Sequence, residues 1–141
     1  MILQASTGNL GIGTLTPSSK LDVVGFVNTD VVSGYKQGGT TVLTASSTSG
    51  LTLGGLGAGA ALLATTSSVA GNTAFGYQAL TLSTSSIQNT AIGWQALAAV
   101  NSSAAVDNTA VGFGTLANST SGYSNTGLGT EALWQIGRAH V

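Results

Sequence analysis

The sequence predicts a mainly β, fibrous fold in which β-solenoid or β-roll repeats follow a module of short strands, and three observations lead to it. The C-terminal half contains four copies of one pattern: NTAFGYQAL at 72–80, NTAIGWQAL at 89–97, NTAVGFGTL at 108–116 and NTGLGTEAL at 125–133. Their leading asparagines are spaced by 17, 19 and 17 residues, and repeats with a period near 20 usually form a stack of like units. Charged residues make up only 5% of the chain, whereas Gly accounts for 21 of 141 residues. A surface so poor in charge suits a fibre better than a soluble monomer.

Composition also argues against several classes of protein. The net charge of −1 lacks the basic face that nucleic-acid binding requires. The most apolar run, GGLGAGAALLA at 54–64, is shorter than the roughly 20 residues that span a bilayer. The N-terminus MILQASTGNL has neither the positive charge nor the continuous apolar core of a secretory signal peptide. We therefore expect no nucleic-acid partner and no membrane insertion.

The strand module is predicted over residues 1–44. Residues 8–25 read GNLGIGTLTPSSKLDVVG, with a short extended run at 10–13, a turn at 17–19 and an alternating strand at 20–24. The runs that follow, at 26–27 and 31–32, are rich in β-forming residues. GYKQGGTTVL at 34–43 predicts a hairpin that turns at its pair of glycines.

Residues 45–71 are predicted to be an irregular shaft with weak strands at 51–53 and 61–63, or alternatively a low-complexity linker. The four solenoid repeats occupy 72–135.

The last six residues, 136–141, read IGRAHV, the translation of the common sequencing adapter ATC-GGA-AGA-GCA-CAC-GTC. We expect this tail to be an artefact of a metagenomic fragment with no fixed role, a genuine C-terminus being the alternative. Without it the only His and the only Arg disappear, and two lysines minus four acids give a net charge of −2.

Two apolar columns are predicted to form the inward core of the repeats. The large-apolar column consists of Phe75, Ile92, Val111 and Leu128, and the closing-leucine column consists of Leu80, Leu97, Leu116 and Leu133. The glycines and small residues between them are predicted to face the other way, where they permit close approach of another backbone, from a neighbouring subunit. The segment at 77–80 contains good helix formers and predicts a single helical turn.

Stacked coils would place identical residues about 4.7–4.9 Å apart. The sequence therefore predicts an asparagine ladder that satisfies backbone groups from coil to coil, and a parallel threonine ladder. The asparagine ladder consists of Asn72, Asn89, Asn108 and Asn125, and the threonine ladder of Thr73, Thr90, Thr109 and Thr126.

Two motifs carry a resemblance to known families. The pattern G-N-x-G-I-G-T-x-x-P-x-x-K-L-D-V-x-G in residues 8–25 resembles the shaft module of phage tail fibres and related trimeric fibre proteins. The N-T-A-I-G core resembles the shorter head repeats of trimeric autotransporter adhesins, and it is more similar to the N-T-A-I-G-Y-Q-A-L repeats of tail-fibre-like proteins. The resemblance implies a structural fibre segment that mediates or presents attachment to a host-surface glycan or protein receptor. It also implies a parallel homotrimer, located in a virion tail fibre or at the cell surface.

The residues predict no enzyme, cofactor or metal site, because without the tail there is no Ser-His-Asp, Cys-His or metal-ligand cluster. Tyr77, Trp94 and Phe113 occupy one column and are the candidate contacts to a host glycan; the alternative is a packing ladder that closes the coil or the seam of the trimer. The alternative function is a stand-alone solenoid that binds glycan or ice. Ice-binding faces require doubled threonine rows, and here the row is single.

Overall fold

The computed structural model describes residues 2–4, 8–25, 27, 34–46, 49–63 and 69–134, and it divides the chain into two compact units, Met1–Asp30 and Val31–Val141. The prediction of a mainly β protein with a β-solenoid of about four turns is confirmed. Parts of the sequence prediction, namely the β-forming residues at 26 and 31–32 and the tail at 136–141, lie outside the described residues.

The first unit is a small three-stranded sheet in the order β1-β2-β3. Its strands are β1 (Ile2–Gln4), β2 (Asn9–Ile12) and β3 (Leu21–Val23). β1 is antiparallel to β2, and β2 is parallel to β3. The connection between the parallel strands is tied down by Asn9, whose Nδ2 donates to the carbonyl oxygen of Pro17 at 3.2 Å. Gly13 has a positive φ of 78°, and a Cβ there would lie 2.5 Å from the carbonyl oxygen of Val24.

Asp22 closes the turn before β3 by accepting two hydrogen bonds from Ser18. The Ser18 backbone N–H donates to Asp22 Oδ2 at 2.8 Å and the Ser18 hydroxyl donates at 3.0 Å. The backbone hydrogen bond first, and the hydroxyl second, lower the pKa of Asp22 below its ordinary value. A depressed carboxyl pKa stabilises the fold above the unfolded-state pKa, and this contribution is lost as the pH falls through the folded-state pKa.

We expect Ser18→Ala to raise the pKa of Asp22 part of the way back, because the backbone hydrogen bond remains. An NMR titration of the Asp22 carboxyl measures this change. Ser19→Ala is the matched control, since the Ser19 hydroxyl donates to the carbonyl oxygen of Leu21 instead, at 2.7 Å. An Asp22 titration that Ser18→Ala leaves unmoved would contradict the assignment.

The second unit is built on one seven-stranded sheet in the order β10-β9-β8-β7-β6-β5-β4. The strands are β4 (Tyr35–Gln37), β5 (Thr40–Ser46), β6 (Leu51–Gly54), β7 (Thr73–Phe75), β8 (Thr90–Ile92), β9 (Thr109–Val111) and β10 (Thr126–Leu128). β4 and β5 form the predicted antiparallel hairpin, which turns at Gly38 and Gly39, both with positive φ. From β6 to β10 all pairings are parallel.

The parallel strands define the solenoid. The four repeats are named coils 1 to 4, residues 72–88, 89–107, 108–124 and 125–134. The described residues of the segment before them, 51–63 and 69–71, are named the leading coil. Each strand pairs in register with the next, so that the threonine ladder and the residues that follow it lie side by side.

The leading coil differs from the predicted irregular shaft. β6 pairs with β7 with Thr52 opposite Thr73, so this segment is a further coil that lacks the asparagine signature. The predicted strand at 61–63 is wrong, because Ala60–Leu63 forms a single helical turn, α1. Within the described part of the chain, no helix is long and apolar enough to cross a bilayer. The hairpin at 35–46 joins the solenoid sheet, so the structure divides the chain before this hairpin, whereas the predicted boundary followed residue 44.

The interior of the coils contains asparagine, alanine and leucine. Leu80, Leu97 and Leu116 are fully buried, as predicted, and Leu133 of coil 4 is 36% exposed. Apart from Val100, the other fully buried positions are small or polar, among them Asn72, Asn89, Asn108, Ala74, Ala91, Ala110, Ala79, Ala96 and Thr115. The core is therefore narrow, with one leucine per coil as its largest side chain.

The prediction that the large-apolar column points inward is wrong. Phe75 and Ile92 are 41% and 42% exposed, Leu128 is 78% exposed, and Val111 is only half-buried. Each strand has three residues, and successive side chains alternate between its two faces. Because the middle Ala or Gly points inward, the residues on either side of it point outward.

The predicted helical turn at 77–80 is also wrong. These residues form a turn in which Gln78 and Leu80 have left-handed φ values of 54° and 55°, and the same pair recurs in the other coils. Left-handed backbone costs roughly 1–2 kcal/mol per non-glycine residue. The conformation directs both Ala79 and Leu80 into the core, where they are fully buried, and this burial offsets the cost.

Candidate functional site: the outer face of the solenoid sheet

The outward positions of the coils are grouped here under one name, the outer face. It carries three columns that run along the stack: the threonine ladder, the large-apolar column and the aromatic column. The aromatic column consists of Tyr77, Trp94 and Phe113. No charged residue belongs to any of the three columns.

The aromatic column is a ladder of stacked rings. The ring centroids of Tyr77 and Trp94 are 6.0 Å apart with an interplanar angle of 16°, and those of Trp94 and Phe113 are 4.6 Å apart at 4°. Backbone hydrogen bonds fix this register, since Gln95 N–H donates to the Tyr77 carbonyl at 2.9 Å and Gly114 N–H to the Trp94 carbonyl at 2.8 Å. The structure thus brings the three predicted contact residues together.

Stacking determines which part of each ring is accessible. All three rings are about 40% exposed, and Trp94 lies between the other two, stacked closely on Phe113 and at a larger separation from Tyr77. Sugar rings bind aromatic side chains mainly through the ring faces. The ladder therefore offers chiefly ring edges to a ligand, and this geometry favours packing over the stacking of a glycan.

The threonine ladder is longer than the sequence predicted. Thr52 of the leading coil joins it, opposite Thr73. The nearest column on the same face is the large-apolar one, which holds no threonine. The doubled threonine row that ice binding requires is absent from the described coils.

The asparagine ladder is fully formed inside the stack. Asn89 Oδ1 accepts from both the backbone N–H and the Nδ2 of Asn108, at 3.0 and 2.9 Å. Asn89 Nδ2 in turn donates to the carbonyl oxygens of Ile87 and Ala105, both at 3.0 Å. Asn72, Asn89 and Asn108 therefore each close their own coil. They also hold the next coil, as the sequence predicted.

The glycine column is occupied by the same chain. Gly76, Gly93 and Gly112 have φ between 131° and 137°. A Cβ at Gly93 would lie 2.3 Å from the carbonyl oxygen of Gly112, and the other two glycines are related in the same way to the coil that follows. The prediction that these small residues receive a backbone from a neighbouring subunit is corrected: the approaching backbone is the next coil.

The described residues contain few groups that could bind a metal ion or hold a small ligand. They contain no group of three His, Cys, Asp or Glu residues that could hold a metal ion. A cavity of about 10 Å³ lies beside Thr44, Leu53 and Ala58, and this volume accommodates at most about one water molecule. Thr44 lines that space, and its buried Oγ1 has no hydrogen-bond partner in the described part of the chain.

Comparison of the chain with known protein families, with curated proteins and with solved structures found no match. The resemblance of residues 8–25 and of the repeats to fibre proteins stays a prediction. The function is therefore argued from the geometry of the coils.

Proposed function

We propose that this chain is a structural segment of a tail-fibre-like or adhesin-like protein, in which the solenoid is a rod that presents or spaces an attachment site at a host surface. The observation that carries the proposal is the uninterrupted stack from β6 to β10, in which strands and asparagines are joined from one coil to the next. A solenoid whose contacts are all to neighbouring coils grows only along its axis. The fibre role needs this rigid, extended geometry and needs no catalytic group.

The outer face supports a parallel homotrimer as the working assembly. Its columns contain the half-exposed Phe75, Ile92 and Trp94 and no charged residue, and exposed apolar side chains of this kind are an aggregation hazard. Three parallel copies about one axis would set like columns beside each other, and a closed rotation stops further lateral growth. The support comes from this face alone, because the glycine column is filled within the chain.

Ile92→Asp tests the assembly. Ile92 is 42% exposed, so in a single chain we expect a loss of no more than about 1 kcal/mol of stability, as for most surface substitutions. In a trimer that buries this face, an unpaired carboxylate would be desolvated and the trimer should dissociate. The full chain is fused to a cleavable trimeric coiled coil, and sedimentation equilibrium is measured before and after cleavage.

Leu82→Asp is the control, because Leu82 is a large exposed side chain in the return of coil 1 and belongs to none of the three columns. The wild type and the control should remain trimeric after cleavage, whereas Ile92→Asp should become a folded monomer. A wild type that is a stable, soluble monomer after cleavage would contradict the proposal of a trimer and favour a stand-alone solenoid.

A glycan-binding solenoid is the second candidate, because the aromatic column remains partly exposed. Its test is a fluorescence titration of Trp94 with soluble oligosaccharides in a Trp134→Phe background, which removes the other tryptophan. We expect no saturable change, since the Trp94 ring is stacked between Tyr77 and Phe113. A saturable shift that Tyr77→Ala weakens would favour glycan binding over the fibre role.

A further inference from the structure

The last coil leaves one buried acceptor without a partner. In coils 1 to 3 the ladder asparagine accepts through Oδ1 from the backbone N–H of the next asparagine, at 3.0, 3.0 and 3.1 Å, and from its Nδ2, at 3.3, 2.9 and 2.9 Å. Asn125 of coil 4 is only 1% exposed, and its Oδ1 has no hydrogen-bond partner among the described residues. A buried polar atom without a partner is uncommon and costly.

The backbone of coil 4 also lacks, among the described residues, the hydrogen bond that each earlier coil donates to the coil after it. Thr73, Thr90 and Thr109 each donate their N–H to the asparagine carbonyl of the following coil at 2.8 Å. Thr126 has the same position in coil 4, and no coil follows it among the described residues. Leu133 is exposed where the equivalent leucines of earlier coils are fully buried.

Gly129 shows that this end of the stack has space where earlier coils meet the backbone of the next coil. A Cβ at each of the three preceding ladder glycines would collide with the carbonyl of the next coil, whereas a Cβ at Gly129 would meet nothing within 4 Å. The backbone of Gly129 nevertheless has the same positive φ, at 112°. Coil 4 thus keeps the conformation that admits a neighbouring backbone.

The opposite edge of the sheet is different. β4 has three residues, a register shift between Tyr35 and Lys36, and an exposed lysine. Short length, irregular register and lysine are devices by which natural edge strands avoid pairing. β10 contains no charge and no proline. A second copy that offered its β4 edge would also bring no asparagine to Asn125.

We propose that the exposed end of coil 4 is a docking surface for one further solenoid coil that begins with asparagine. The backbone N–H and Nδ2 of that asparagine would donate to Asn125 Oδ1, and its carbonyl would accept the Thr126 N–H. A glycine four residues later would bring its carbonyl over Gly129. This inference goes beyond the proposed function, and it holds whether or not the rod serves attachment.

The test extends the full chain after residue 141 with a copy of residues 81–97, which supplies a return and one N-T-A-I-G-W-Q-A-L coil. The residues that loop out before the copy add little cost, because loop-closure entropy grows slowly with length. Amide hydrogen exchange is read at Thr126, with Thr109 as the internal reference. The control is the same extension with the copy of Asn89 replaced by Ala.

In the extended chain the Thr126 amide should exchange at least about tenfold more slowly than in the unextended chain, and the Tm should rise. The control extension should recover little of either effect. An extended chain whose Thr126 exchange and Tm both stay unchanged overturns the proposal. Protection of Thr126 equal to that of Thr109 in the unextended chain also overturns it, because this end would then already be covered by other residues or by a second copy.

Discussion

Asn89→Asp should destabilise the solenoid by about 3–5 kcal/mol, the range found when a buried charge is left uncompensated. Asn89 is fully buried. An ionised aspartate would take away the Nδ2 donor and set a carboxylate against the carbonyl oxygens of Ile87 and Ala105. The free energy of unfolding of a whole domain is only about 5–15 kcal/mol, so this single change should remove a large part of it.

Urea unfolding followed by circular dichroism measures the Asn89→Asp loss, and Asn118→Asp is the matched control. Asn118 is exposed in the return of coil 3, so the same chemical change there should cost no more than about 0.5 kcal/mol. Equal losses for the two variants would mean that the ladder contributes nothing beyond the effect of added charge.

Gly93→Ala is the second large effect. The new Cβ would lie 2.3 Å from the carbonyl oxygen of Gly112, in a backbone with φ of 133° that side chains rarely adopt. The backbone strain costs about 1–3 kcal/mol, and the overpacking costs a similar amount. We expect the two costs to add, because the clash can be relieved only by separating coils 2 and 3.

Gly129→Ala separates these two contributions. Its φ is 112° and its Cβ would meet nothing within 4 Å, so we expect the backbone strain without the clash. Differential scanning calorimetry of both variants should show a clearly larger drop in Tm for Gly93→Ala. Equal drops would show that the coils can part at no cost, and the stack would then be looser than the structure describes.

The sequence was informative where one residue type has one physical use. Leucine ends every repeat, and Leu80, Leu97 and Leu116 are buried as this pattern predicted. The Gly-Gly pair at 38–39 supplies the two positive φ values of a tight hairpin. The asparagine ladder followed from the repeat spacing, because only a stack brings residues 17 and 19 positions apart into contact.

The orientation of the large-apolar column could not be predicted by counting apolar residues. Phe75 and Ile92 look like core, but the width of the coil is set by the backbone turns, and those turns need left-handed residues such as Gln78 and Leu80. Propensity alone predicts helix at that segment. The resulting interior admits alanine on the strand and excludes phenylalanine.

The leading coil was missed because it has no asparagine. A weaker signal was present: Thr52, Gly55 and Ala58 stand at the spacing of Thr73, Gly76 and Ala79. The first of these residues pairs across the sheet, and Gly55 approaches the Gly76 carbonyl as the later glycines approach theirs. Aligning small residues as well as asparagines would have found it.

Because two of the columns point outward, the side chains that differ from coil to coil are not the ones that hold the coils together. The ladder asparagine and the closing leucine are the same in all four repeats, whereas the outward positions read Phe, Ile, Val and Leu in one column and Tyr, Trp, Phe and Thr in the other. The stack is therefore a scaffold whose surface can be rewritten one rung at a time, at a pitch of about 4.8 Å. A pattern of side chains chosen by a designer, or by selection, could be displayed in a straight line without touching the bonds that hold the rod together.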